Sequence, residues 1–236
     1  MADFRSLENG LIQALALEGR PIAVIFGDEP PPNTEKFVGS EPSGCSFWRL
    51  AAEGKVFYTV PEDHYNCPIG SHTHGISLPP PRSGELPQLL DIMTGIGYLK
   101  MEEVPGIPTL QSPPKTIAYA PLGESPADPD VVLVVAVPGK IMLIEEAALR
   151  LGVLAKLPLL ARPACAAIPA ALQKGVVASA GCIGNRIYTQ IGDHELYAAI
   201  PGRWLLAICE SLRTIVDANN TLERYHELRK RELATQ

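Results

Sequence analysis

The chain has 236 residues, which is enough to bury the core of one large domain or two small ones. Its net charge of −6 comes from 20 Lys and Arg against 26 Asp and Glu, and no long basic run is present, so nucleic acid is not an expected partner. Its apolar runs are far shorter than the ~20 residues that a membrane-spanning helix needs. Because the polar, acidic N-terminus lacks the pattern of a secretory signal, we expect a cytoplasmic protein without membrane contact.

Taken in chain order, apolar periodicity predicts an N-terminal helix that ends near Gly19, and then a mixture of short strands and helices. The predicted strands cover residues 21–26, 55–60, 116–122, 131–137, 176–179, 186–190 and 196–200. The other predicted helices cover residues 46–52, 86–99, 141–151, a segment from near 165 to 174, a segment from 201 to about 216, and 221–233.

The order of these elements bears on the fold class. Strands and helices are mixed without strict alternation, which predicts an α+β domain, with a mixed-sheet α/β fold as the alternative. The run at 131–137 is apolar on both faces, so we expect it to be a central, covered strand. We expect a single compact domain, with lobes over about 1–110 and 111–236 and the functional site between them.

Five cysteines are present, and four of them lie at the ends of predicted elements near Gly or Pro. Cytoplasmic thiols stay reduced, so clustered cysteines there bind metal or do chemistry more often than they form disulfides. Turns and helix starts also expose N–H groups that stabilise a thiolate. Cys209 instead falls on the apolar stripe of a helix and is expected to pack as a small hydrophobic side chain. The four boundary cysteines are Cys45, Cys67, Cys165 and Cys182.

Spacing alone does not decide whether these four cysteines form one site. No C-x-x-C pair is present, so the chain lacks both the zinc-ribbon pattern and the bacterial-ferredoxin pattern. On local pattern, a shared metal site and four unrelated cysteines have about equal weight.

Two short motifs are more specific than the spacing. They are Cys-Pro-Ile-Gly at 67–70 and Gly-Cys-Ile-Gly-Asn-Arg at 181–186. With them, the chain resembles the domain of unknown function 169 family over nearly its whole length. The resemblance implies that Cys45, Cys67, Cys165 and Cys182 are the family's recurring cysteines, and that Cys209 is not. Family members often continue Cys-Pro-Gly-Gly-Ala, whereas this chain departs from that pattern and adds His72 and His74.

Four thiolates from four separate elements suit Zn²⁺ or an iron–sulfur cluster. Structural zinc usually takes close pairs of ligands from one knuckle, whereas each cysteine here comes alone from its own loop. We therefore expect a [4Fe–4S] cluster, with zinc or haem as the alternatives, in a protein that acts on or senses a small molecule. A variant with three cysteine ligands leaves one iron open as a Lewis acid. Whether the chain is a redox enzyme, a Lewis-acid enzyme or no enzyme stays open.

Two other residues are candidate catalytic groups. Arg186 follows Cys182 by four residues and could bind an anion or offset cluster charge, or form a structural ion pair with Glu195. His64 could act as a base or as a ligand, although a lone loop histidine is more often a surface or hydrogen-bonded residue. His72 and His74 would share one face on a strand, but a solvated loop is the favoured interpretation. A homodimer is the default expectation for the assembly.

Overall fold

The computed structural model describes residues 3–157 and 162–234. Its strands are β1 (Ile22–Gly27), β2 (Phe57–Thr59), β3 (Thr116–Pro121), β4 (Val131–Ala136), β5 (Val177–Ser179) and β6 (Leu196–Pro201). They form one six-stranded sheet in the order β2-β3-β1-β4-β6-β5, and every pairing between these strands is antiparallel. At the centre of the sheet, Val24 pairs with Tyr119 on one side and with Val131 on the other.

Helices lie on both faces of this sheet. They are α1 (Phe4–Leu15), α2 (Ser46–Ala52), α3 (Pro68–Thr73), α4 (Glu85–Gly95), α5 (Pro138–Arg150), α6 (Ala167–Lys174), α7 (Ile183–Thr189) and α8 (Leu205–Ala234). Helix α1 begins at the cap Asp3, whose carboxylate accepts from the backbone N–H of Ser6. Helix α5 begins with Pro138, whose fixed φ suits the first turn of a helix.

Successive residues of the central strands point to opposite faces of the sheet, and both faces are covered. On β4, Val131 and Leu133 pack in one hydrophobic core, whereas Val132 and Val134 pack in another. Lying between β1 and β6, this strand confirms the expectation of a central, covered strand.

The two faces carry different sets of helices. The packed face is covered by α1, α5 and the first part of α8, with Leu11, Ile144 and Ile208 in its core. The cysteine face is covered by α2 and α6, with α3 and α7 beside them, and its core includes Trp48 and Ile168. One sheet holds both layers together, so the expected single compact domain of mixed strands and helices is confirmed.

The two predicted lobes share this sheet. Strands β1 and β2 come from one side of residue 110, and the other four strands come from the other side. The division at about residue 110 stays a prediction. The all-antiparallel pairing favours the α+β prediction over the mixed-sheet alternative.

Three local predictions are wrong. Of residues 186–190, expected as a strand, 186–189 belong to α7 and Gln190 is its C-cap, because the tertiary setting overrides their β-branched and aromatic content. The two C-terminal helices are one, since no Gly or Pro interrupts Leu205–Ala234. The helix expected over 86–99 ends at Gly95, so Ile96 lies beyond it and is 74% exposed.

The second half of α8 extends away from the sheet, and residues 221–234 are all exposed. Within the described part of the chain, no helix has both the length and the apolar character that crossing a bilayer requires.

Candidate functional site

The four boundary cysteines line one cavity on the cysteine face. Its volume is about 320 Å³, which lies at the lower end of the ~300–1,000 Å³ typical of small-molecule sites. All four are free thiols, and they reach the cavity from four separate parts of the chain. Cys209 lies away from this cavity, against the core of the packed face. The cavity-lining cysteines are Cys45, Cys67, Cys165 and Cys182.

Each of these cysteines stands at the start of a helix. Cys45, Cys67 and Cys182 are the N-cap residues of α2, α3 and α7. Cys165 lies in the 3-10 turn Ala164–Ala166, which leads directly into α6. Three of the four thiols therefore belong to residues at the positive end of a helix, a position that favours negative charge on sulfur.

Two glycines lie in close contact with neighbouring groups beside Cys67 and Cys182. The backbone N–H of Gly70 donates to Cys67 Sγ at 3.3 Å, and a Cβ at Gly70 would lie only 3.0 Å from that sulfur. Before Cys182, Gly181 has a φ of +72°, and a Cβ there would lie 2.6 Å from Asn185 Oδ1. At Gly181 both the space and the backbone conformation favour glycine, whereas a side chain at Gly70 would require Cys67 Sγ to shift.

Burial opposes ionisation of these thiols. It raises the pKa of Cys45 to about 11, although hydrogen bonds from Ser43 and Asn185 offset part of the effect. Burial also raises the pKa of Cys67, and it raises that of Cys165 well above the usual value. Like-charge repulsion among the four sulfurs adds to these shifts, so the sulfurs lie within electrostatic range of one another.

A neutral buried histidine lies behind Cys67. His64 is 1% exposed, and its Nε2 lies 2.8 Å from the hydroxyl oxygen of Thr59. Because that hydroxyl donates to the carbonyl of Ile117, His64 Nε2 is the donor towards Thr59 and Nδ1 carries the lone pair. Burial lowers the pKa of His64 to about 3. His64 does not line the cavity, so its side chain does not lie where a candidate catalytic residue would meet a bound molecule.

The expectation of a solvated loop for His72 and His74 is wrong. Both lie in or at the end of α3, where residues two apart point in different directions. His72 lines the cavity, whereas His74 is buried beneath it, and its Nδ1 donates to the carbonyl of Gly70 at 2.8 Å. Burial lowers the pKa of His74, so this imidazole is held neutral.

Arg186 lies outside the cavity lining. Its guanidinium donates to the backbone carbonyls of Ala180, Gly192 and Glu195, and it lies 3.7 Å from the carboxylate of Asp193. These contacts tie both ends of α7 to the loop that follows it. The structure therefore places Arg186 where it holds the segment that carries Cys182, and not beside the thiols.

The apolar wall opposite the cysteines was not predicted from the sequence. Helix α4 contributes four side chains spaced as one helical stripe, and the segment that follows contributes Leu99, Val104 and Ile107. A helix was predicted over 86–99, but such a stripe usually indicates packing against a core. The stripe consists of Leu86, Leu89, Leu90 and Met93.

The donor set fits an iron–sulfur cluster. Thiolate sulfur is the usual ligand of such clusters. The backbone N–H of Gly70, which donates to Cys67 Sγ, is of the kind that stabilises cluster-bound sulfur. The phenolic hydroxyl of Tyr119 is buried without a hydrogen-bond partner in the described part of the chain, and it interacts electrostatically with Cys45 and Cys165. In residues 3–157 and 162–234, no three His, Cys, Asp or Glu side chains are grouped tightly enough to hold a single metal ion.

Comparison with known proteins identifies the family. The model of the domain of unknown function 169 family, described as Uncharacterised ArCR, matches residues 10–211. The chain therefore belongs to this family, as the two cysteine motifs indicated. No curated protein and no solved structure matches the chain.

Proposed function

We propose that this member of the domain of unknown function 169 family is an iron–sulfur protein that acts on or senses a small molecule. The observation that supports the proposal is the convergence of Cys45, Cys67, Cys165 and Cys182 on one cavity, each from the start of a different helix. Cys209, which the local sequence had set apart, lies elsewhere.

The arrangement of the thiols favours a cluster over a single ion. The four side chains line one part of a cavity of about 320 Å³. A group with several irons, such as [4Fe–4S], takes one thiolate at each of its corners and suits ligands that are spread around a volume. Zinc instead draws four ligands to one point at about 2.3 Å from each sulfur.

Burial of the thiols also bears on the proposal. A neutral thiol is a poor ligand, and burial raises the pKa of Cys45 to about 11. The positive charge of iron lowers the pKa of a coordinating thiol, so cluster assembly would release protons from these cysteines. Buried thiols that lose their metal would return to the neutral form.

The cluster, when bound, supplies either an electron or a Lewis-acidic iron. Residues of the chain would form hydrogen bonds to the sulfurs that hold the cluster. On cluster-bound thiolates, the N–H of Gly70 would donate to Cys67 Sγ, and the Ser43 hydroxyl, 3.1 Å from Cys45 Sγ, could donate to that sulfur. Such hydrogen bonds would raise the reduction potential of the cluster. Residues outside the cluster line the rest of the cavity, so a small molecule that enters it would lie near the thiols.

Anaerobic purification tests the proposal. We expect a brown protein with absorbance near ~400 nm and with bound iron and sulfide. Cys67→Ser or Cys165→Ser should lose most of both, whereas Cys209→Ser should keep them, because this thiol packs against the opposite core. A colourless wild-type protein without iron and sulfide would contradict the proposal.

The same preparation separates the alternatives. Zinc without sulfide would favour a zinc-stabilised module, and a Soret band would favour a haem protein. A homodimer, a cytoplasmic location and the absence of nucleic-acid binding stay predictions. Light scattering tests the dimer, for which the exposed Leu222, Tyr225 and Leu228 of α8 provide an apolar surface.

A further inference from the structure

Helix α4 directs its apolar stripe into the cavity and not into a core. The stripe side chains, Leu86, Leu89, Leu90 and Met93, follow the i, i+3, i+4, i+7 spacing of a helix that normally packs on its neighbours. Yet no residue of α4 is buried, and all four stripe side chains line the cavity. The burial of this stripe therefore depends on what occupies the space between α4 and the thiols.

Among the described residues that line the cavity, the only permanent charge is that of Arg162, and it is already paired. The other basic side chain of this lining is the imidazole of His72. The Arg162 guanidinium lies 3.2 Å from the carboxylate of Glu103, donates to the carbonyl of Tyr98 and stacks 4.9 Å from the Tyr98 ring. A carboxylate or phosphate placed here would lose its hydration without gaining a free partner of permanent positive charge.

From these two observations, we infer that the small molecule is uncharged and largely apolar, and that it lies between the α4 stripe and the four cysteines. This inference rests on the proposed function for the assignment of the thiol end of the cavity. The apolar character of the other end of the cavity does not depend on the proposed function, because it is given by the lining residues. Specificity would come from shape, because aliphatic side chains of α4 and of the segment after it surround the molecule and hydrogen-bonding groups are few.

A matched pair of probes tests this inference on the anaerobically purified protein. Toluene and benzoate have similar shape, but only benzoate is charged. We expect toluene to bind with one site per chain in titration calorimetry, at least about tenfold more tightly than benzoate, because the cavity cannot compensate a buried carboxylate. Equal or tighter binding of benzoate would overturn the inference, and so would the absence of toluene binding.

Two substitutions on the same helix locate the site. Leu89→Gln places an amide in the apolar wall and should weaken toluene binding about tenfold or more. Met93→Gln should act in the same direction, and it provides a second variant if the first does not fold. Ile92→Gln is the control, because Ile92 is 60% exposed on the other side of α4 and should leave binding unchanged. Equal effects of Leu89→Gln and Ile92→Gln would contradict the inference.

Iron and sulfide are measured on the same samples. Wild-type protein that binds toluene but lacks iron and sulfide would overturn the proposed function and leave the apolar ligand standing. Protein that holds the cluster but does not bind toluene would overturn the ligand class and leave the proposed function standing.

Discussion

The two faces of the sheet differ in what they bury. The packed face is filled by aliphatic side chains of α1, α5 and α8, such as Leu15 and Ile144, which are fully buried. Its main buried charge, Glu8, pairs with Arg20 at 2.6 Å. The cysteine face instead buries hydroxyls, imidazoles and thiols beside a cavity. The buried polar residues close to the cysteines are Ser43, Ser46, Thr59, His64, Ser71, Thr73, His74 and Asn185.

This difference suggests a division within one domain: the packed face contributes most of the stability, and the cysteine face carries the proposed site. Burying aliphatic side chains is the main favourable term in folding, whereas buried polar groups stabilise little and cost free energy when they lack a partner. His64 Nδ1, His74 Nε2 and the Tyr119 hydroxyl are such groups in the described part of the chain. The packed face can therefore stabilise the sheet while the cysteine face keeps polar groups and an open cavity next to the same strands.

The largest expected effect is on the packed face. Ile144→Ala removes a fully buried side chain and should lower the free energy of unfolding by about 2–5 kcal/mol, because it leaves a cavity in a close-packed core. Urea denaturation measures the loss. Met142→Ala on the same helix is the control, since Met142 is 45% exposed. Iron per folded chain should stay unchanged, and a loss of iron would show that the two faces are not independent.

The second prediction concerns acid stability of the cysteine face. Burial lowers the pKa of His64 from 6.5 to about 3. Between these two pH values, His64 is protonated in the unfolded chain but neutral in the folded chain. The resulting stability is fully present above about pH 6.5 and is lost as the pH falls towards 3. Across this window the free energy of unfolding should fall by about 1.4 kcal/mol per pH unit from this group alone.

Urea titrations of the wild type and of His64→Gln at several pH values test this, with both proteins in the same metal-loaded state. The glutamine can still donate to Thr59 but does not titrate. His74, whose pKa is also lowered by burial, contributes in the same direction in both proteins. His226→Gln, on the exposed half of α8, is the matched control. Identical pH slopes in wild type and His64→Gln would contradict the prediction.

The smallest expected effect concerns the contact between Gly70 and the sulfur of Cys67. A methyl group at Gly70 would lie 3.0 Å from Cys67 Sγ, so Gly70→Ala should displace the thiol and cost about 1–3 kcal/mol. It should also lower the iron content of the anaerobic protein. Gly95→Ala is the control, because a methyl group there meets nothing within 4 Å and alanine favours the helix. Unchanged stability and iron in Gly70→Ala would show that the thiol has room to move.

Most of the fold could be predicted from apolar periodicity. The strand near 131–137 and the helix over 46–52 were predicted correctly, and the valine-rich run favours a strand at the first of them. The segment after Cys182 was not, since Arg-Ile-Tyr-Thr favours a strand locally and becomes helical only in its tertiary setting. His72 and His74 were predicted in a loop for a different reason. Helix α3, with six residues, is too short to show helical periodicity in the sequence.

The sequence by itself determined which cysteines could act together. Cys45, Cys67, Cys165 and Cys182 lie within two residues of Gly or Pro at element boundaries, and Cys209 lies on a helical stripe. Both are local features, because neighbouring residues set the backbone geometry. Only the tertiary structure decided that the four line one cavity, that Arg186 holds a loop and that α4 forms an apolar wall. Those facts depend on contacts between segments that are more than a hundred residues apart, such as those of Cys45 and Cys182, and no local pattern records which segments will meet.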